Sequence, residues 1–155
     1  MIPTGRSFFK MSGSGNDFIM VDARVEPRGE LGDVDVIRRV CARGTGVGAD
    51  GIVFLELADV ADVRLTYINA DGSPADFCGN ATLCTTRLAA ELGAGHPDGM
   101  RIETQAGLVT ARVRDDLPEI DLQPVADVRA AAASIPLGLG ERRRRIVDRQ
   151  HVEAL

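Results

Sequence analysis

Lysine is all but missing from this sequence. Lys10 is the only one, so nearly all the positive charge is arginine, which we assign to coding bias and not to an arginine-based mechanism. Positive charge is also in deficit overall: 18 basic residues face 23 acidic ones, for a net charge of -5. Phosphate backbones require a basic face, so this balance argues against a nucleic-acid partner. Nowhere does the chain offer the run of about 18 apolar residues that a membrane-spanning helix needs. The opening residues, Met-Ile-Pro-Thr-Gly-Arg, lack the apolar core of a signal peptide, and a cytoplasmic location is the expectation. Cysteine is scarce and odd in number, three in all, which does not suggest a disulfide framework. The two histidines, His96 and His151, stand at no metal-ligand spacing from the cysteines, so no metal site is expected.

What remains is an ordinary globular composition, 45% hydrophobic and 26% charged over 155 residues, enough for one domain with a substantial core. Two short strands, Ser7–Met11 and Asp17–Asp22, are expected around the turn-rich stretch Ser12-Gly13-Ser14-Gly15-Asn16. Asp33 is placed to cap a helix running to about Arg43, whose apolar residues Val34, Ile37, Val40 and Cys41 recur at helical spacing. A glycine loop follows, from Gly44 to Gly51. Ile52–Leu57 and Val63–Ile68 then read as strands rich in β-branched and aromatic residues. A second helix is expected from Asn80 to Leu92, with Leu83, Cys84, Leu88 and Leu92 as its apolar stripe and Gly93 as its stop. Met100–Thr104 and Leu108–Val113 form a hairpin, Ile120–Leu122 a short strand, and the alanine-rich Ala126–Ser134 a helix. Without a regular βαβ alternation, the class is α+β.

One residue invites chemistry. Cys78 lies between the polar turn Asn69-Ala70-Asp71-Gly72-Ser73 and the start of the second helix. Helix N-termini carry unpaired N–H groups and a partial positive charge. Both favour a thiolate, the reactive form of cysteine. Gly79 permits close approach of a ligand or backbone, and Asn80 can bind a polar group. Cys84 and Cys41 fall on apolar stripes and read as buried structural thiols. A Cys–His hydrolase would require a histidine beside Cys78, and His96 lies beyond the far end of the helix. The loop at 44–51 fails as a dinucleotide fingerprint, because it follows a helix and precedes a strand.

Three segments together carry a resemblance. Gly15-Asn16-Asp17-Phe18, then Arg43-Gly44-Thr45-Gly46-Val47-Gly48-Ala49-Asp50-Gly51, then Asn69-Ala70-Asp71-Gly72-Ser73 running into Cys78-Gly79-Asn80 resemble diaminopimelate epimerase, in that family's order and over about Ser7 to Gly107. The resemblance implies a curved mixed β-sheet wrapped around a central helix. It also implies inversion of LL-diaminopimelate to the meso form, in lysine and peptidoglycan precursor synthesis, with no cofactor and no metal. One cysteine thiolate removes the α-proton and a second cysteine on the opposite face returns one. Cys78 matches the family's first cysteine, and Asn16, Asn69, Gly79 and Asn80 match positions that hold the substrate.

The departures are equally specific. The family's arginine on the catalytic helix is Leu83 here. The second cysteine belongs, in the family, to an Ala-Cys-Gly-Thr-Gly segment that nothing in this chain matches, and Glu141-Arg142 is no substitute for the Glu-Arg pair before it. Ile146–Val152 is only faintly similar to a family strand ending in Pro-His-Val. We therefore expect an epimerase-type domain over 1–116 carrying Cys78, and an incomplete start of a second, similar domain over 117–155. As an isolated monomer the chain is expected not to invert its substrate. A homodimer or a complementing C-terminal half would supply the missing group. The alternatives are a truncated amino-acid-binding module without catalysis, or another cofactor-independent racemase. Proline racemase-like enzymes share the two-thiol logic, and phenazine-biosynthesis isomerase-like proteins use a carboxylate in place of the thiols.

Overall fold

The computed structural model describes residues 5–122. Seven strands form one sheet in the order of the sequence, β1 (Phe9–Gly13), β2 (Asn16–Asp22), β3 (Gly51–Glu56), β4 (Val63–Asn69), β5 (Met100–Thr104), β6 (Gly107–Arg114) and β7 (Leu117–Ile120). The sheet is mixed: β2 pairs parallel with β3 and β4 parallel with β5, and the other neighbours are antiparallel. Two helices accompany it, α1 (Val34–Cys41) and α2 (Gly79–Glu91). The α+β class and the curled mixed sheet around a central helix are as expected. Among the described residues no helix is long and apolar enough to cross a membrane.

Burial explains which strands lie in the middle. β3 reads Ile-Val-Phe-Leu without a polar break, and all four are fully buried. Successive strand residues point to opposite faces. Val53 and Leu55 accordingly join the core around α2, with Phe18 and Met20 of β2. Ile52 and Phe54 join the core around α1, with Ile19 and Val21. Strand β4 instead alternates, burying Val63, Leu65 and Tyr67 against α2 and leaving Arg64 and Thr66 partly open. Such alternation marks a sheet covered on one face only. The central strands are thus sandwiched between two helices, and the later strands wrap α2 alone.

Turns account for where the strands differ from expectation. The first hairpin closes over Ser14 and Gly15 alone, with φ of 48° and 92°, so β1 extends to Gly13, which pairs with Asn16. Positive φ at both central residues suits the right-handed twist of the flanking strands. A second such turn, Asp115-Asp116, has φ of 49° and 68° and joins β6 to β7. Aspartate tolerates this backbone, and the final strand starts at Leu117 in place of Ile120. Helix α2 ends as its sequence dictates. Gly93 takes φ 63°, and the N–H groups of Gly93 and Ala94 reach back to Ala90 O (3.2 Å) and Ala89 O (2.8 Å). That is a Schellman stop. The helix expected over Ala126–Ser134, the stretch Ile146–Val152, Glu141-Arg142 and all of 117–155 beyond Leu122 lie outside the described residues.

Candidate functional site

The site is assembled at one end of the sheet by backbone pairing. Gly51, first residue of β3, stands opposite both Phe18 of β2 and Asn69 of β4. The residues just beyond are stitched together: Asp50 N donates to Asp17 O and Ala70 N donates to Asp50 O, each at 2.9 Å. Asn16, Asp50 and Asn69 therefore occupy adjacent rows at the same edge. The start of α2 meets this edge through β1. A Cβ on Gly13 would come within 3.0 Å of the Cys84 sulfur and 3.2 Å of Asn80 O, so glycine lets the helix start seat here without giving way by a few tenths of an ångström.

Cys78 is the N-cap of α2 and half-buried, with extended backbone at φ -142°, ψ 109°. Its carbonyl accepts the first helical bond, from Thr82 N at 2.9 Å. Its side chain makes no capping bond. The N–H groups of Gly79, Asn80 and Ala81 accordingly point out of the helix end, as helix geometry requires of the first turn. Phe77 beside it is exposed, and the Ile120 side chain reaches the Gly79 position from β7. Leu83 lies half-buried on the same helix.

The asparagines divide into two groups. Asn16 and Asn80, 64 residues apart, are bonded directly: Asn80 Nδ2 donates to Asn16 Oδ1 at 2.8 Å. Asn16 Nδ2 in turn donates to Asp50 Oδ2 at 2.9 Å. Asn69 is held separately by the turn that follows it, its Nδ2 donating to Ser73 O (3.2 Å) and Ser73 Oγ (3.0 Å). Asp71 completes that turn by accepting from the Ser73 N–H at 2.8 Å and hydroxyl at 2.6 Å.

Behind Asn16 stands an ionic cluster that sequence reasoning did not assign. Arg43 Nη2 donates to Asp17 Oδ1 at 2.6 Å and to Asp50 Oδ1 at 2.8 Å. Lys10 Nζ donates to Asp17 Oδ2 at 2.5 Å and to Gly48 O at 2.6 Å. The Arg43 and then the Lys10 bonds hold the Asp17 carboxyl far below the usual carboxylate range. Asp50 is also lowered, first by the Asn16 amide and then by the Asp17 N–H, which donates at 3.1 Å. Arg43 opens the glycine-loop motif and Asp50 is its penultimate residue, but nothing in a linear sequence pairs them with Asn16.

The other thiols are elsewhere. Cys41 is buried in the core around α1, and burial pushes its thiol up to about 11. Cys84 is buried on α2, and desolvation raises it too. Tyr67 packs edge-on against Phe18, and its hydroxyl is pushed up to about 12 by burial first and by Cys78 next. A cavity of about 290 Å³ opens on the α1 side of the sheet, among Phe8, Ile19, Val21, Leu31, Val40 and Ile52. None of Asn16, Asn69, Cys78 or Asn80 lines it, and it takes no part in the site.

Against this geometry stand the comparisons with known proteins. The sequence pattern of the diaminopimelate epimerase family matches residues 8–125. The chain is 50% identical over 124 residues to the diaminopimelate epimerase of Gemmatimonas aurantiaca, which covers 79% of this chain and 44% of that protein. It is 38% identical over 149 residues to the diaminopimelate epimerase of a Synechococcus strain, covering 94% of this chain and 51% of that one. Among solved structures, a methylitaconate-delta-isomerase superposes with a TM-score of 0.56 at 17% identity, over 79% of this chain and 38% of that chain, a likeness of fold alone. The chain spans about half the length of the curated relatives it matches.

Proposed function

The chain belongs to the diaminopimelate epimerase family, and from that premise we propose that Cys78 is one of two acid/base groups that invert the α-carbon of diaminopimelate. The observation that carries this reading is the helix start itself: a half-buried thiol at the N-cap of α2, beside first-turn N–H groups that no side chain caps. Stereoinversion needs a base and an acid on opposite faces of one carbon, each within hydrogen-bonding reach. The Cys78 thiolate takes the α-proton and becomes the thiol. The electron pair left on the α-carbon delocalises into the adjoining carboxylate. That carboxylate is stabilised where the N–H groups of Gly79 and Asn80 and the helix dipole converge. Asn16, Asn69 and Asn80 hold the polar groups around the reacting carbon.

Neither of the other two thiols in these 155 residues is placed to be the opposing proton donor. Cys41 is buried in the core around α1 and Cys84 in the core around α2, away from any substrate. We therefore assign the second group to residues outside these 155, in a second half of the enzyme or a second copy facing the first. A working Cys78 must stay reduced, so we place the chain in the cytoplasm, in the supply of lysine and cell-wall precursors.

The experiment is proton exchange at the α-carbon of diaminopimelate in deuterated buffer, followed by mass spectrometry, together with calorimetric titration of the same ligand. We expect binding, exchange that vanishes in Cys78→Ala, and LL-to-meso conversion that rises with protein concentration or on addition of a complementing half. A purified chain that neither binds diaminopimelate nor exchanges its α-proton overturns the reading.

A further inference from the structure

We propose that Asp50 is a positioning residue that sets the amide orientation of Asn16 and, through it, of Asn80, so that the start of α2 presents a carbonyl oxygen next to Cys78. The assignment of Asn16 and Asn80 as substrate-facing groups rests on the function proposed above; the relay between the three side chains rests on their geometry alone.

An asparagine amide has a donor edge and an acceptor edge of nearly identical shape, and only its partners choose which faces where. An ionised carboxylate accepts and cannot donate. Asp50 Oδ2 at 2.9 Å therefore selects the Nδ2 edge of Asn16. The Oδ1 edge is then turned toward Asn80, where it meets a donor, Nδ2, at 2.8 Å. Flipping Asn16 would set oxygen against the Asp50 oxygen and nitrogen against the Asn80 nitrogen, two repulsive contacts in place of two bonds. With its donor edge engaged by Asn16, Asn80 keeps Oδ1 free of hydrogen-bond partners among the described residues.

The peg that starts this relay is held from several sides. The Asp50 side chain accepts from the Asp17 N–H at 3.1 Å and from Arg43 at 2.8 Å. Its backbone is bonded both ways, N–H to Asp17 O and carbonyl from Ala70 N–H, each at 2.9 Å. Its carboxyl is held below the usual aspartate range, so it remains an acceptor across neutral pH. The consequence for recognition is a polarity across the helix start. The open N–H groups of the helix end suit a carboxylate, and the Asn80 oxygen suits an ammonium. An α-amino acid brings both substituents on one carbon, and this polarity orients that carbon before Cys78.

The test reads the side-chain amide resonances of the ¹⁵N-labelled 155-residue chain. Asn80 does not touch Asp50, so its Nδ2 signal reports the relay and not the local loss of a contact. In Asp50→Ala the Asn80 amide signal should move to the position of a freely solvated asparagine. In Asp50→Asn it should stay near its original place, because one carbonyl oxygen still accepts from Asn16. A role for Asp50 as charge partner of Arg43 alone makes the opposite forecast, with Asn and Ala variants equally perturbed or Asn80 unmoved in both, and either result overturns the proposal. Should Asp50→Ala fail to fold, Asn16→Ala cuts the same relay one step later, and an unchanged Asn80 signal there is equally fatal. Diaminopimelate affinity supplies the second arm: loss of a charge-oriented hydrogen bond predicts weakening by about 10-fold or more in Asp50→Ala, restored in Asp50→Asn. If the unmodified chain binds no diaminopimelate, the functional reading fails, and the amide signals still decide the relay.

Discussion

The two helices of this domain begin in opposite ways. At α1, Asp33 turns its carboxylate onto the helix end and accepts from Asp35 N at 2.9 Å and Val36 N at 3.3 Å. At α2, Cys78 occupies the same position in the same extended backbone class and accepts nothing with its side chain. One start is filled from within and the other is left open. The eight residues of α1 bury only one side against the sheet, so it gains from the cap. The thirteen of α2 are enclosed by the sheet and closed at the far end by Gly93, so its start can be given over to a ligand. An uncapped helix end is therefore affordable where burial carries the helix, and here that is also where the thiol lies.

The largest effect expected from this contrast lies inside α2. Leu88 is fully buried among Met20, Leu55, Met100 and Ile102 in the core around α2. If enclosure holds the helix, Leu88→Ala should cost about 2–5 kcal/mol through lost transfer energy and the cavity left behind. Urea unfolding measures it. A loss below about 1 kcal/mol, the level of a surface change, would show that α2 is held by something other than its burial.

Next in size is the filled start. Asp33→Ala removes the acceptor for two backbone donors and should lower stability by about 1 kcal/mol, in the usual range for a lost N-cap. On the function proposed above, diaminopimelate binding draws on the other helix and should be unchanged by it. A loss of affinity matching the loss of stability would mean that the two helix starts are not independent, and the comparison between them would fail.

How much of this was legible in the sequence follows the same divide. The α1 start could be read outright, because a carboxylate before an apolar pattern of helical spacing is a local signal. Cys78 at a helix start was legible for the same reason. The enclosure of α2 was legible through the family resemblance but not in its own periodicity. Of the stripe Leu83, Cys84, Leu88 and Leu92, only Cys84 and Leu88 are fully buried, while Ala81, Thr82, Thr85, Thr86 and Ala89 are buried as well. A helix wrapped on most sides has no single apolar face to leave a periodic trace. Two of these threonines turn their hydroxyls back on the helix, Thr82 donating to Cys78 O and Thr86 to Thr82 O, whereas the buried Thr85 hydroxyl has no partner among the described residues. The Asp50–Asn16–Asn80 relay was hidden for a different reason. It joins the start of β2, the residue before β3 and the first turn of α2, separated by 34 and 64 residues, and only the sheet register and the seat of α2 on β1 bring them together.

The smallest expected effect bears most directly on the contrast. Cys78→Ser places a good capping hydroxyl where the sequence has a poor one, at a backbone conformation already suited to an N-cap (φ -142°, ψ 109°). The hydroxyl can accept from Asn80 N or Ala81 N, one or two positions into the helix, as capping side chains do. Stability should rise by a few tenths of a kcal/mol and at most about 1 kcal/mol, while α-proton exchange disappears because a serine hydroxyl is far too weak an acid to stand in for the thiol. Gain and loss would then fall on one atom. Unfolding of Cys78→Ser measured beside the unmodified chain decides the matter. A variant less stable than the original would mean that the thiol contributes more by packing against the core around α2 than its open N–H groups cost, and that the start of α2 was never held open at the expense of the fold.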